Sequence, residues 1–248
     1  KIFADLLFSA VMHTDCTNAG VNGESAYVYV CATPDEQKVL YFAREKKGHE
    51  GVKGTVTEDF QGILVHDHEI TFYKYGNAHQ ECLAHVQRYL KDSMENEPSL
   101  TRHRKMRELI REMIHYRNEH ADDAHLDPKI VSDFEGKYQE ILEKAKEEYI
   151  LHEPSPYYRD GYNLYRRMQE YKTQHLLFLH DMRVPTTNNT AERCLRDYKR
   201  KQTFAMTFKS FESIEELCQS KGVLLGVRKN NPNLYTAVKE IFNRQYGA

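Results

Sequence analysis

Long apolar runs are absent from this chain, and cysteine is scarce. No stretch approaches the roughly 18 consecutive apolar residues that a membrane-spanning helix requires. The five cysteines are odd in number, lie far apart and form no Cys-x-x-Cys motif. We therefore expect neither a membrane protein, nor a disulfide framework, nor a structural zinc site, and we expect a reducing cytoplasm as the compartment.

An excess of charge of one sign is also absent, because 35 basic residues face 37 acidic ones and the net charge is −2. Over the whole chain this balance argues against a generic nucleic-acid coat protein, which would be basic throughout. The charges are nevertheless segregated. Residues 119–153 hold 4 Lys and 11 acidic residues, a local charge of −7, which leaves +5 on the remainder. Residues 193–209 alone carry six basic residues and one acidic residue.

The first residues have neither the basic start nor the small-residue cleavage site of a signal peptide. The chain starts at Lys1 rather than Met, and we expect it to be part of a longer protein. Its 248 residues, 40% of them hydrophobic, suffice for one sizeable domain or for one domain with a large insertion.

Three zones follow one another along the sequence. The first, from about residue 10 to 85, contains four β-type runs, at 10–15, 25–33, 38–43 and 62–67, and a weak helix at 48–60. The second, from about 86 to 184, shows repeated apolar stripes at helical spacing. Together these zones predict an α/β protein.

The third zone begins after Pro185. A helix is expected from TNNTAER, an extended segment at 204–208, and a last helix with Asn231 as its cap and Pro232 in its first position.

Three acidic residues stand out by their context. Asp15 is predicted to end the first strand, Asp67 the fourth, and Glu192 lies in the first turn of the helix that TNNTAER opens. Carboxylates at strand ends and on a facing helix could hold Mg²⁺, which prefers oxygen ligands. A pair of such ions about 3.5–4 Å apart is the usual clamp for phosphodiester chemistry.

Each of these residues also has a structural interpretation. Asp15 and Asp67 could simply begin turns, because aspartate is common there. Asn189 and Glu192 have the spacing of a capping box, in which the glutamate would reach back to the helix N-terminus. The local sequence leaves these alternatives open.

Four segments in order, MHTDCT, GILVHDHEITFYKYG, HQECLAHVQRYL and TTNNTAERCLRDYKRKQTF, resemble the DDE transposases of the insertion sequence 66 family. The resemblance extends from about residue 10 to 225. It implies a ribonuclease-H-like mixed sheet with a large all-helical insertion before the last catalytic helix. The expected parts are residues 1–85, the insertion 86–185, and residues 186–248.

The resemblance also implies roles for individual residues. Asp15, Asp67 and Glu192 match the catalytic metal ligands, with two Mg²⁺ ions expected and Mn²⁺ as a substitute. Cys82 and His85 match a C-x-x-H signature, for which we expect an organising role near the active site. Binding of DNA phosphates is expected of the basic residues after the glutamate, namely Arg193, Arg196, Lys199, Arg200 and Lys201.

The role of Arg196 has two interpretations, and the sequence differs from the family pattern at Cys16 and His68. Arg196 shares a helix face with Glu192 and could either pair with it or bind phosphate. Cys16 stands where the family usually has an acidic residue, and His68 where it commonly has glycine. Both changes leave the three acidic residues intact.

The leading hypothesis is a DNA transposase core that hydrolyses transposon ends and transfers the freed 3′-hydroxyl into target DNA. Its partners would be both DNAs and further copies of itself, in a bacterial cytoplasm and at the nucleoid when bound. A metal phosphohydrolase using His66-Asp67 and His180-Asp181 is a second hypothesis. A non-catalytic DNA-binding or assembly module is a third.

Overall fold

The computed structural model describes residues 1–205, 208–230 and 233–246. The chain divides into two compact units, the first comprising Lys1–Ala78 with Asn188–Ala248 and the second His79–Thr187. None of the helices in the described ranges has the length and apolar character needed to cross a membrane.

The strands, in chain order, are β1 (Val11–Val21), β2 (Glu24–Ala32), β3 (Val39–Arg44), β4 (Ile63–His66) and β5 (Ala78–Glu81). The helices are α1 (Ile2–Leu7), α2 (His49–Val52), α3 (Val56–Asp59), α4 (Leu83–Asn96), α5 (Arg102–Glu119), α6 (Pro128–Leu151), α7 (Asp160–Glu170), α8 (Lys172–Leu176), α9 (Asn189–Ala205), α10 (Phe211–Asn230) and α11 (Leu234–Tyr246). Short 3₁₀ segments cover Ile70–Lys74 and Leu177–Leu179.

The strands form a mixed sheet in the order β3-β2-β1-β4-β5. β1 pairs antiparallel with β2, and β2 antiparallel with β3, whereas β1 and β4 are parallel. The α/β class and the mixed sheet predicted from the sequence are confirmed.

The first strand is longer than predicted, because β1 continues to Val21 instead of ending near residue 15. The two residues between β1 and β2 are Asn22 and Gly23, with φ of 49° and 85°. Positive φ at both central positions is the signature of the type I′ turn that closes tight hairpins, and Asn-Gly is its preferred sequence. This turn allows β1 and β2 to pair along their whole length, from His13–Ala32 to Val21–Glu24.

Helix α9 packs on the sheet of the first unit. Its buried residues recur at helical spacing and belong to one core cluster with side chains of β1, β2 and β3. They are Ala191, Cys194, Leu195 and Tyr198. The Tyr41 hydroxyl of β3 donates to the Cys194 carbonyl at 3.2 Å. The apolar stripe therefore fixes the rotation of α9, and with it the direction of its first turn.

The second unit is built from α4 to α8. The stripes predicted in this zone are largely buried, as for Met106, Ile110 and Met113 of α5. Near the end of this zone, α7 ends at Glu170 and a new short helix begins at Lys172.

Strand β5 was missed by the sequence analysis because its residues, Ala-His-Gln-Glu, show no apolar alternation. Glu81 is fully buried and accepts hydrogen bonds from Arg167, at 2.9 Å from Nε, and interacts with His175 at 3.1 Å. His175 in turn bonds the Tyr138 hydroxyl at 2.9 Å. Buried polar groups need such partners, and this network attaches the strand residue to helices α6 to α8.

Two local predictions are wrong, one in whole and one in part, and a third lies outside the described residues. The weak helix at 48–60 is two short helices, α2 and α3, separated by Gly54, whose φ of 72° interrupts the helical path. The extended segment at 204–208 fails at its start, since Phe204 still belongs to α9, and residues 206–207 lie outside the described range. Asn231 and Pro232 are also outside it, and α11 begins later, where Asn233 accepts a hydrogen bond from the Thr236 N–H at 3.1 Å.

Candidate active site

Asp15 lies in the middle of β1 and not at its end, which corrects the prediction, because the Asn-Gly hairpin extends the strand. Asp67 directly follows β4, as predicted. The last parallel pair of these strands is His13 with Val65, and Asp15 and Asp67 each follow two residues after it. Neighbouring strands are about 4.8 Å apart, and residues in register share a face of the sheet.

Glu192 lies in the first turn of α9, with a fifth of its side chain exposed. The alternative of a capping box between Asn189 and Glu192 lacks the required spacing, because Asn189 is itself the first helical residue and Asn188 precedes the helix. The amide of Asn188 is turned to β1, where it donates to the Thr14 carbonyl at 3.0 Å and bonds His13 Nδ1 at 2.9 Å. The start of α9 is therefore tied to the strand that carries Asp15.

The three acidic side chains interact electrostatically within the first unit. Burial, followed by repulsion from Asp67 and then from Glu192, raises the pKa of Asp15 to about 7. The Cys16 N–H, at 2.7 Å from the Asp15 carboxylate, and the more distant Lys47 act in the opposite direction. Neighbouring like charges destabilise one another unless a cation offsets them.

The donor set fits a hard divalent cation. All three acidic side chains offer carboxylate oxygens, which Mg²⁺ and Mn²⁺ prefer, and a cation would offset the burial and repulsion that raise the pKa of Asp15. The residues that could hold such a metal are Asp15, Asp67 and Glu192.

Two charged residues near these carboxylates were missed by the sequence analysis. Lys47 forms an ion pair with Glu69 and lowers the pKa of Asp15. The Glu69 N–H donates to the Asp67 carboxylate at 3.2 Å, a turn that fixes the Asp67 side chain. The spacing Asp-x-Glu at 67–69 could have signalled this turn, whereas no local pattern marks Lys47.

His13 was also missed. It is buried on β1 beside Asn188, and burial lowers its pKa to about 4, so the ring is neutral at physiological pH. Its Nε2 has no hydrogen-bond partner among the described residues. No periodic signal separates such a histidine from an ordinary core residue.

Cys16 and His68, the two residues that depart from the family pattern, each contact other residues of the first unit. Cys16 is half-buried, and burial raises the pKa of its thiol to about 12, so it stays protonated. Its backbone, and not its side chain, bonds Asp15. His68 lies 3.4 Å from the Tyr73 hydroxyl and packs edge-on against that ring.

The basic residues of α9 divide into two groups. Arg193 pairs with Glu36, and Lys199 donates to the Asn18 carbonyl of β1, so both have partners within the first unit. Arg196, Arg200 and Lys201 are exposed. Arg196 lies 3.9 Å from Glu192, a contact that is compatible with either of its two predicted roles.

Cys82 and His85 belong to the second unit. Cys82 is buried immediately before α4, and the His85 N–H donates to its carbonyl at 3.1 Å. The His85 ring, half-buried, packs against Tyr89 with centroids 6.4 Å apart.

The two His-Asp dipeptides have different surroundings. His66 is buried at the end of β4 and packs on Phe72 and Tyr73. In the second unit, His180 bonds Glu135 at 2.8 Å, and Asp181 pairs with Arg183 at 2.6 Å. His180 and Asp181 therefore each have a partner other than a metal ion, as is common for polar residues near the surface.

A comparison with family models assigns residues 1–215 to the transposase IS66 family. No significant match was found among curated proteins or among solved structures. Because the family model covers well over half of the 248 residues, the resemblance noted in the sequence is confirmed. The chain belongs to the transposase IS66 family.

Proposed function

We propose that this chain is the catalytic core of a DNA transposase, which hydrolyses transposon ends and then transfers the freed 3′-hydroxyl into target DNA. Membership of a transposase family indicates a transposase-related function with DNA as substrate. The observation that carries this assignment is the raised pKa of Asp15, which follows from burial and from repulsion by Asp67 and Glu192 in the first unit. A carboxylate that has other carboxylates as neighbours is stabilised in its charged form by a bound cation.

The proposed metal ligands are Asp15, Asp67 and Glu192, holding two Mg²⁺ ions for which Mn²⁺ can substitute. Bound in this way, the metal pair supplies activation of the attacking oxygen and stabilisation of the leaving oxygen. The chain contributes the alignment. β1 carries Asp15, β4 ends immediately before Asp67, Asn188 anchors the helix start near Glu192, and partial burial limits the access of water to Asp15.

The remaining predictions extend this proposal. The mixed sheet, and the helices α4 to α8 that intervene between β4 and α9 in the chain, support a ribonuclease-H-like domain opened by a helical insertion at 86–185. Exposed Arg196, Arg200 and Lys201 would contact DNA phosphates, and further copies of the chain would join in the transposition complex.

The test is a strand-transfer assay on DNA that carries the element's ends, with Mg²⁺ or Mn²⁺. Asp67→Asn keeps the side-chain shape and removes the charge, and Asp59→Asn, at an exposed site on α3, is the matched control. We expect a loss of at least about a hundredfold for Asp67→Asn, because a metal ligand is removed. The control should retain the parent's activity.

Joining by Asp67→Asn at the parent's rate would contradict the catalytic assignment. If the parent itself bound end DNA but cut none of it, and substitution of all three acids left that binding unchanged, the non-catalytic module would be the better description.

A further inference from the structure

A cleft of about 650 Å³ opens in the second unit, between the last turns of α6, the connection after it and α7. Three exposed cations line it, Lys146, Arg159 and Arg166. Glu153 is the one acidic residue among the described residues of its lining. This local excess of positive charge is notable because residues 119–153 carry −7 overall.

Tyrosine rings form one wall of this α6–α7 cleft. Tyr149 and Tyr162 meet edge to face with centroids 4.9 Å apart, and Tyr165 lies 5.5 Å from Tyr149 and 5.9 Å from Tyr162. Tyr162 is half-buried, whereas the other two rings are buried. Tyr162 therefore presents the accessible aromatic surface.

Contacts with Arg102 and Glu97 hold the Tyr149 ring of this wall in place. The Arg102 guanidinium lies 3.5 Å from the centre of the Tyr149 ring, and the Tyr149 hydroxyl donates to Glu97 at 3.3 Å. On the open side, interaction with the Tyr162 hydroxyl raises the pKa of Arg166. An aromatic surface held in this way loses little conformational entropy when a ligand stacks on it.

Cations beside an accessible aromatic ring match the chemistry of a nucleotide with an unpaired base. Arg and Lys bind the phosphates, and the base stacks on the ring regardless of its identity. The cleft volume is within the range of about 300–1,000 Å³ typical of small-ligand pockets. A duplex offers phosphates but keeps its base faces stacked inside, so it cannot use the tyrosine wall.

We propose that the α6–α7 cleft binds a single-stranded segment of DNA, with phosphates at Arg159, Arg166 and Lys146 and a base against Tyr162. The proposal rests on the proposed function only in taking DNA as the substrate. It adds a binding site separate from Asp15, Asp67 and Glu192 and independent of metal.

The first experiment uses the absence of tryptophan from the sequence. Tyr162→Trp places a unique fluorophore in the cleft, and Tyr235→Trp, at an exposed position of α11, is its control. Titration with a poly-dT oligonucleotide in EDTA should quench Tyr162→Trp through stacking and leave Tyr235→Trp nearly unchanged. Equal quenching at both positions, or quenching at neither, would overturn the proposal.

The second experiment removes charge without touching the core. Arg159→Gln with Arg166→Gln should weaken poly-dT binding about tenfold and reduce the slope of log K against log salt by about 1.4, the value for two lost phosphate contacts on a single strand. The charge-matched control is Arg104→Gln with Lys105→Gln, two exposed cations of α5 outside the cleft lining. Unchanged binding by the cleft variant, or an equal loss in the control, would refute the site.

These results are independent of catalysis, because EDTA removes divalent metal. Failure of the strand-transfer test with intact quenching would reject the catalytic assignment and keep the cleft. Loss of strand transfer in Asp67→Asn together with no quenching at Tyr162→Trp would keep the catalytic assignment and reject the cleft. A duplex of equal length that quenched Tyr162→Trp as strongly as poly-dT would also count against a single-strand site.

Discussion

At the scale of single residues, the candidate active site contains a carboxyl group, Asp15, that lowers the stability of the folded protein when no metal is bound. Asp15 is buried close to two other carboxylates, an arrangement that lowers the stability of the metal-free fold. A buried carboxyl usually has a cation or several N–H donors, and the Asp15 carboxylate accepts a hydrogen bond from the Cys16 N–H. Such local conflicts are typical of functional sites.

The first prediction concerns Asp15→Asn in metal-free buffer. Because the folded-state pKa is raised from 3.8 to about 7, this group makes the parent less stable as pH rises through that range, by at most about 4 kcal/mol. The variant lacks this loss, so we expect its melting temperature at pH 8 to exceed the parent's by roughly 2–4 °C per kcal/mol recovered.

Asp59→Asn, at an exposed site, controls for a general effect of lost charge. Thermal denaturation at pH 5 and pH 8 measures the difference between the proteins, which should be larger at pH 8. A variant that melts below the parent at pH 8 would contradict the repulsion assigned to Asp15.

The second prediction concerns Asn188, whose amide bonds the Thr14 carbonyl and the His13 ring. Asn188→Ala leaves these buried groups without that partner, at a cost of about 1–3 kcal/mol. We also expect weaker Mn²⁺ binding, because the first turn of α9 loses its anchor to β1. Isothermal titration with Mn²⁺ measures the affinity.

The matched control is Asn18→Ala, which removes an exposed amide from β1, the strand that Asn188 contacts. If Asn188→Ala were destabilised but bound Mn²⁺ as tightly as the control, Asn188 would be structural only and would not position Glu192.

At the scale of elements, periodicity predicted the elements that bury one face. The apolar spacing of α5, and the alternation of β3, whose buried residues are every second one, are plain in the sequence. Where polar residues continue an element, the pattern fails. β1 runs through Asp15-Cys16-Thr17-Asn18 because β2 and the Asn22-Gly23 turn hold it extended. β5 has no apolar face and is secured by partners distant in sequence.

The candidate site divides in the same way. Asp67 and Glu192 could be placed from the sequence because each lies next to a clear element boundary. Lys47 and His13 could not, because their importance arises from contacts across the fold rather than from any local spacing.

The third prediction contrasts two glycines. Gly62 precedes β4, and a Cβ there would lie 2.6 Å from the Phe60 ring and 2.7 Å from the Ala10 carbonyl oxygen. Gly62→Ala should therefore destabilise the protein by about 1–3 kcal/mol through overpacking. Gly136 of α6 has open space around it, and Gly136→Ala should stabilise by about 0.5–1 kcal/mol through helix propensity.

Urea denaturation followed by circular dichroism compares the two variants. Opposite shifts of the midpoint are expected, and a Gly62→Ala protein as stable as the parent would contradict the close approach of backbone at the start of β4.

At the scale of the whole molecule, the net charge of −2 does not show how unevenly the charges are distributed along the chain. The chain is nearly neutral, yet residues 193–209 are strongly basic and residues 119–153 strongly acidic. The basic stretch follows Glu192 on α9 and shares the first unit with Asp15 and Asp67. Overall composition therefore gave a misleading indication about nucleic acid, whereas the segment charges agree with family membership.

The α/β class and the family were reachable from the sequence because both depend on ordered local motifs. The electrostatic interaction of the three acids was not, because it depends on the register of β1 with β4 and on the anchoring of α9.

The most direct test of the account is a crystal structure of the protein soaked in Mn²⁺, with data collected at the manganese absorption edge. We predict anomalous density bound by the carboxylates of Asp15, Asp67 and Glu192, and its loss in Asp67→Asn. Crystals that bind Mn²⁺ elsewhere, with Glu192 turned back onto the N-terminus of its own helix and no manganese at Asp15, would contradict the central claim.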